Sequence, residues 1–173
     1  QVRKITINDH VLFFKRISYT LRMFNQKITT MFSKSRTLST LATFVVMYFL
    51  PWIFYTVAAD FFKDQVIVDA SRGQDNMILW ALTLGCLFMS YFFCTIYERW
   101  SHSDYRGSIG IRFGVLLALF WNLGMGFIFY ATELRMEPLG YLVDGIFWVF
   151  NYGLAGFVAS LVYKATTANS PNP

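Results

Sequence analysis

Apolar residues in this chain fall into long unbroken runs rather than into alternating or one-sided patterns. Four stretches, 37–59, 76–97, 113–132 and 145–163, contain no Asp, Glu, Lys or Arg and are 23, 22, 20 and 19 residues long. About 20 mostly apolar residues in a helix cross the ~30 Å hydrocarbon core of a bilayer. Backbone polar groups in lipid must be satisfied internally, so such runs are helices or strands of a closed barrel. Barrel strands alternate polar and apolar residues over about 10 positions, and no such alternation occurs here. The pattern therefore predicts an all-α integral membrane fold. Its domain, 37–165, would hold four transmembrane helices at about 37–61, 76–98, 109–133 and 139–163. A water-soluble alternative would need four long helices apolar on every side in a chain this small.

Before the first run the pattern changes. Asn8 or Asp9 can cap a helix over 10–32, in which Phe14, Ile17, Leu21, Phe24, Ile28 and Met31 recur at alternating spacings of three and four. That spacing keeps one apolar stripe on a helix, with Lys15, Arg16, Arg22 and Lys27 roughly opposite. Residues 1–36 thus read as a cytoplasmic basic segment carrying an amphipathic helix that lies in the membrane interface. The same stripe would also suit docking in a partner's groove. Pro51, mid-span, is expected to kink the first helix, and Pro138 suits the first turn of the fourth. Tyr97, Trp100, Tyr105, Tyr130, Tyr141 and Tyr163 stand near span ends, where an interfacial aromatic belt is expected. The tail 166–173 is expected to be unstructured.

Composition supports lipid as the solvent. Of 173 residues, 55% are hydrophobic, 20% aromatic and only 14% charged, with a mean hydropathy of +0.43, where globular domains carry about 25% charged residues. Cys86 and Cys94 lie inside apolar runs and offer neither a disulfide framework nor metal-ligand spacing. The net charge of +5 is explained by its distribution. Arg3, Lys4, Lys15, Arg16, Arg22, Lys27, Lys34, Arg36, Arg99, Arg106, Arg112 and Lys164 fall on one side of the four spans, and Lys63, Arg72 and Arg135 on the other. By the positive-inside rule both termini are cytoplasmic. The basic residues then face anionic lipid headgroups rather than nucleic acid.

Small residues mark helix contacts. Gly110, Gly114, Ala118, Asn122 and Gly126 recur every fourth position in span 3; span 4 carries Gly145, Gly153 and Gly156, together with Asn151, Ala155 and Ala159. Such ridges let backbones approach closely where lipid supplies no hydrophobic drive. Cys86, Ser90 and Cys94 form a weaker ridge of small packing groups in span 2. A hairpin turning at 135–136 makes indices summing to about 272 level, which predicts a hydrogen bond between Asn122 and Asn151. Such bonds contribute about 0.6 kcal/mol on average. Asp144 lies about two turns into span 4, with Asp60 a possible neighbour; ionisable groups within spans default to a functional reading. Arg112 can snorkel outward, with Glu98 as its expected partner.

Catalytic patterns are missing from the sequence: no phosphate-binding loop, dinucleotide fingerprint, His-Glu-x-x-His or Cys-x-x-Cys occurs. The two histidines, His10 and His102, lie outside the spans, so this chain alone cannot ligate a haem by two histidines within the bilayer. Ser101, His102, Ser103 and Asp104 have triad residue types, but adjacency does not make triad geometry. No protein-bound cofactor is expected beyond lipid, although the aromatics leave pigment or quinone contact open.

The Gly-Ile-Arg-Phe-Gly opening of span 3 (110–114) and the Asp-Gly…Asn-Tyr-Gly-Leu-Ala-Gly pattern of span 4 (144–156) resemble small uncharacterised bacterial inner-membrane proteins. In those proteins four helices of this size recur, with glycine-rich third and fourth spans. The resemblance covers about 105–164; it implies a bacterial inner-membrane location and a four-helix unit, and no activity. The expected role is a non-enzymatic accessory or structural subunit, packed within a larger assembly, such as a respiratory or photosynthetic complex, or against copies of itself. The alternative is a small transporter or channel subunit with a polar path at Asp144, Asn122 and Asn151.

Overall fold

The computed structural model of the chain describes residues 33–68, 72 and 76–168. The stripe from Phe14 to Met31 lies outside the described residues. Helices α1 (Lys34–Val57), α2 (Ala59–Gln65), α3 (Leu79–Trp100), α4 (Gly107–Ala118), α5 (Gly124–Thr132) and α6 (Pro138–Ala168) follow in order, and a π-helical turn, Leu119–Leu123, joins α4 to α5. Four helical units are long and apolar enough to cross a membrane: α1, α3, the composite α4–π–α5, and α6.

Helix ends follow local chemistry. Pro138 opens α6, where its missing N–H costs nothing. Arg106 before α4 and Glu133 after α5 take extended backbone conformations. Two boundaries differ from the sequence expectation. Helix α1 runs on through Pro51 to Val57, and the chain leaves helical geometry at Ala58 (φ −93°, ψ 14°) before the short α2. At the far end α6 continues to Ala168, so 166–168, expected in an unstructured tail, are helical. There the Thr166 hydroxyl donates to the Val162 carbonyl at 2.7 Å, and the Thr167 hydroxyl to that of Tyr163. This back-bonding gives the hydroxyls partners without leaving the helix.

Helices α4 and α6 approach most closely. A Cβ placed on Gly110 would strike the Gly156 carbonyl, one on Gly156 would strike the Gly110 carbonyl, and one on Gly114 would strike the Tyr152 carbonyl. Here the two backbones touch, as small-residue packing in lipid allows. Ala155 and Ala159 are fully buried and join the core of Met47, Phe93, Cys94, Tyr97, Phe113, Tyr152 and Tyr163. Helix α6 is thus the hub, with one face on α4 and its adjoining face toward α1 and α3. Phe54 of α1 stacks on Phe147 of α6 at 3.8 Å between centroids, and Phe93 of α3 meets Tyr152 edge-on at 5.9 Å.

Gly126 departs from the expected ridge, since a Cβ on it, as on Gly124 or Gly145, would meet nothing within 4 Å. Gly126 stands twelve residues, about 18 Å along the axis at 1.5 Å per residue, beyond Gly114 and past the stretch where the two backbones touch. Gly110, Gly114 and the fully buried Ala118 stay on the contact face, and Gly126 leaves it. At the α5 end, the connection after α2 pairs with the turn before α6. Val66 and Met136 form an antiparallel bridge, Ile67 N–H donates to Arg135 O at 2.9 Å, and Glu137 N–H donates to Gln65 O at 2.9 Å.

Candidate functional site

The polar groups inside the bundle collect at two levels. Near the ends of α1 and α3 that carry Lys34 and Trp100, Arg36 Nε donates to Glu98 Oε2 at 2.8 Å. The Tyr163 hydroxyl of α6 reaches the Cys94 carbonyl at 3.1 Å and Glu98 Oε2 at 3.2 Å. Three spans therefore meet at one carboxylate. Tyr105, in the α3–α4 connection, stacks on Tyr163 at 5.0 Å with 13° between the rings, and burial pushes its hydroxyl pKa up. Below this node Cys94 Sγ lies 3.4 Å from Thr43 Oγ1, and Ser90 Oγ donates to the Cys86 carbonyl at 2.8 Å. Ser90, whose Oγ also lies 3.6 Å from Met47 Sδ, and Cys94 accordingly face α1.

This node overturns two expectations. Glu98 is held by Arg36 and Tyr163, not by Arg112, which is exposed and forms no ion pair among the described residues. Tyr97 and Tyr163 are fully buried rather than interfacial. The glycine-lined contact draws α4 and α6 together, and large rings fill the space that remains beside α3. Trp100 and Tyr130 are exposed, as belt residues would be.

The second level lies toward the opposite end. The Tyr55 hydroxyl donates to Asp144 Oδ1, and Trp148 Nε1–H donates to the Tyr55 oxygen at 3.2 Å. Aromatic rings surround this pair. Phe147 stacks on Phe54, Tyr55 meets Phe62 of α2 at 5.4 Å, and Trp148 meets Phe147 at 5.7 Å and Tyr152 at 5.8 Å. The partner of Asp144 is a phenol, where the sequence suggested Asp60.

The three residues of the expected polar path are not joined. Gly110 lies against Gly156 and Gly114 against Tyr152, so level residues sum to 266 rather than 272. In that register Asn151 is level with Val115, and Asn122 stands seven residues away, about 10 Å along the axis at 1.5 Å per residue. The predicted Asn122–Asn151 bond is therefore not made. Asn151 is completely buried with neither amide atom partnered, and Asn122 Nδ2 is likewise buried without a partner. A buried polar group without a partner costs roughly 1–3 kcal/mol. Asn151→Leu is accordingly expected to raise stability by about 1–2 kcal/mol in detergent unfolding; an equal loss would show that the amide is engaged.

The polar α3–α4 connection does not assemble a triad. His102 and Ser103 are exposed and adopt left-handed backbone (φ 47° and 67°), a costly conformation outside glycine. The Asp104 carboxylate is taken by Arg106, whose Nη2 donates to Oδ2 at 2.7 Å, and these hydrogen bonds hold its pKa below the usual carboxylate range. Among the described residues no three of His, Cys, Asp and Glu group as metal ligands.

Sequence reasoning missed the Tyr55–Asp144 bond and the Tyr163–Glu98 bond. The signal for each was a tyrosine and an acid far apart in sequence, by 89 and 65 residues, but at similar depth. No family model, curated protein or solved structure matches the chain.

Proposed function

We propose that this chain is a non-catalytic subunit of a membrane assembly, with both termini cytoplasmic in a bacterial inner membrane, and that it works by packing against other integral-membrane chains or its own copies. The carrying observation is unequal burial. In α6, 44% of the most apolar 18 residues are buried inside the chain, against 22% for α1 and 17% each for α3 and α4–π–α5. Three of the four spans therefore keep most of their surface for lipid or neighbours. That surface is rich in large rings, with Trp52, Trp80, Phe88, Phe92, Phe120 and Phe127 all more than half exposed. Aromatic side chains suit membrane-protein contacts because they bring large area with few rotatable bonds. Orientation rests on the twelve basic residues of one side against three on the other.

Extraction in a mild non-ionic detergent, followed by mass measurement of the intact particle, tests the association. A stoichiometric particle containing a second membrane chain or several copies is expected, and a monodisperse single copy at native expression level would overturn the reading. Orientation is read separately. In intact cells a membrane-impermeant maleimide should label Lys63→Cys, and should label Ser103→Cys only after permeabilisation. The reverse pattern would invert the topology.

A further inference from the structure

Among the described residues Asp60, Asp64, Glu137 and Asp144 form no ion pair, and of these four Asp144 alone lies on a membrane-spanning helix. Glu98, Asp104 and Glu133 are each held by an arginine (Arg36, Arg106 and Arg135). Among the described residues no ion pair involves Asp144, although it lies on a membrane-spanning helix where an ionised group is expensive. Its surroundings are aromatic instead. Tyr55 donates to its carboxylate, Trp148 donates to Tyr55, and the rings of Phe54, Phe62 and Phe147 close around them.

Ring faces carry negative electrostatic potential and attract cations, most effectively where water is scarce. A carboxylate beside these rings adds negative charge to the same volume when it is ionised. Tyr55 remains 37% exposed and Asp144 is only partly buried, so the cluster is reachable from outside. A small hydrated metal ion is poorly served here, because rings cannot replace its oxygen ligands. A weakly hydrated organic cation loses little on leaving water and gains both the carboxylate and the rings.

We propose that Asp144, with the rings of Tyr55, Phe62 and Trp148, forms a binding site for a quaternary-type organic cation at the end of the bundle that carries Val57 and Pro138. At this position the cation comes either from solution or from a choline lipid headgroup. The chemistry of recognition is the same for both. The site does not depend on the association reading above, because its residues all belong to one chain.

The test is binding of tetraphenylphosphonium to the purified full chain in dodecyl maltoside, measured by equilibrium dialysis. Saturable binding of one cation per chain is expected. Asp144→Asn should weaken it about tenfold or more, and Trp148→Leu several-fold. Asp60→Asn, at the same end but with no part in the cluster, should change it less than twofold. Competition by added phosphatidylcholine assigns the site to headgroups, and its lack assigns it to free cations. In the unaltered protein, tetraphenylphosphonium should also protect Asp144 from a hydrophobic carbodiimide, read by peptide mass spectrometry, so the test survives if a variant misfolds. No saturable binding, equal binding by Asp144→Asn, or no protection of Asp144 would overturn the proposal.

Discussion

Gly114→Ala is expected to destabilise the bundle by about 1–3 kcal/mol, the usual range for forcing an extra methyl into a filled contact. The added Cβ would meet the Tyr152 carbonyl oxygen and carbon and lie 3.0 Å from the Gly153 Cα, all of them backbone atoms. No side chain can swing aside, so α4 and α6 must separate along their whole contact and lose dispersion that lipid does not return. Gly114→Leu should prevent the pair from closing. The matched control is Gly126→Ala, where the new methyl meets nothing within 4 Å and the only effect is higher helix propensity, favourable by up to about 1 kcal/mol. Reversible unfolding in mixed detergent micelles reads both. Equal effects at the two glycines would show that α4 and α6 do not touch as described.

The second large effect is expected at Glu98. Its carboxylate receives Arg36 from α1 and Tyr163 from α6, and the Arg36 side chain is only 12% exposed. Breaking a buried pair by removing one partner costs about 3–5 kcal/mol. Glu98 is 27% exposed, so Glu98→Ala should cost less, about 2 kcal/mol. Glu98→Gln keeps an acceptor for Tyr163 and should cost roughly half as much. In a double-mutant cycle with Arg36→Ala, the coupling should exceed about 1 kcal/mol. It should vary little between low and moderate salt, because partly buried pairs are weakly screened. A coupling near zero would reduce the pair to a surface contact.

The spans could be read from the sequence because hydropathy integrates over some twenty residues, and no local detail can hide it. Gly110, Gly114 and Gly156 could be read for a related reason: only glycine permits backbone contact, so its spacing reports on the contact directly. Register is different. It depends on where the hairpin turns and on whether the helix is uniform, and a π turn has no compositional mark in Leu-Phe-Trp-Asn-Leu (119–123). The missing Asn122–Asn151 bond follows from the register at which Gly110 meets Gly156 and Gly114 meets Tyr152. The tyrosines failed for another cause. Proximity to a span end suggests the interface, but whether Tyr163 points outward or inward depends on the helix beside it. Partner choice at Glu98 was equally hidden. Arg36 and Arg112 both belong to the basic end, and only the packing of α1 against α3 selects between them.

The bulge at 119–123 also makes the third crossing a composite of two differently aimed halves. Its first half is committed to α6 through Gly110, Gly114 and Ala118, while its second half turns Gly124 and Gly126 outward. A π turn absorbs one residue beyond the α-helical count, so a single-residue deletion there would restore uniform winding and leave those outward glycines facing as they do. This short stretch can thus lose one residue without the rotation of the second half that the same deletion would force on a uniform helix.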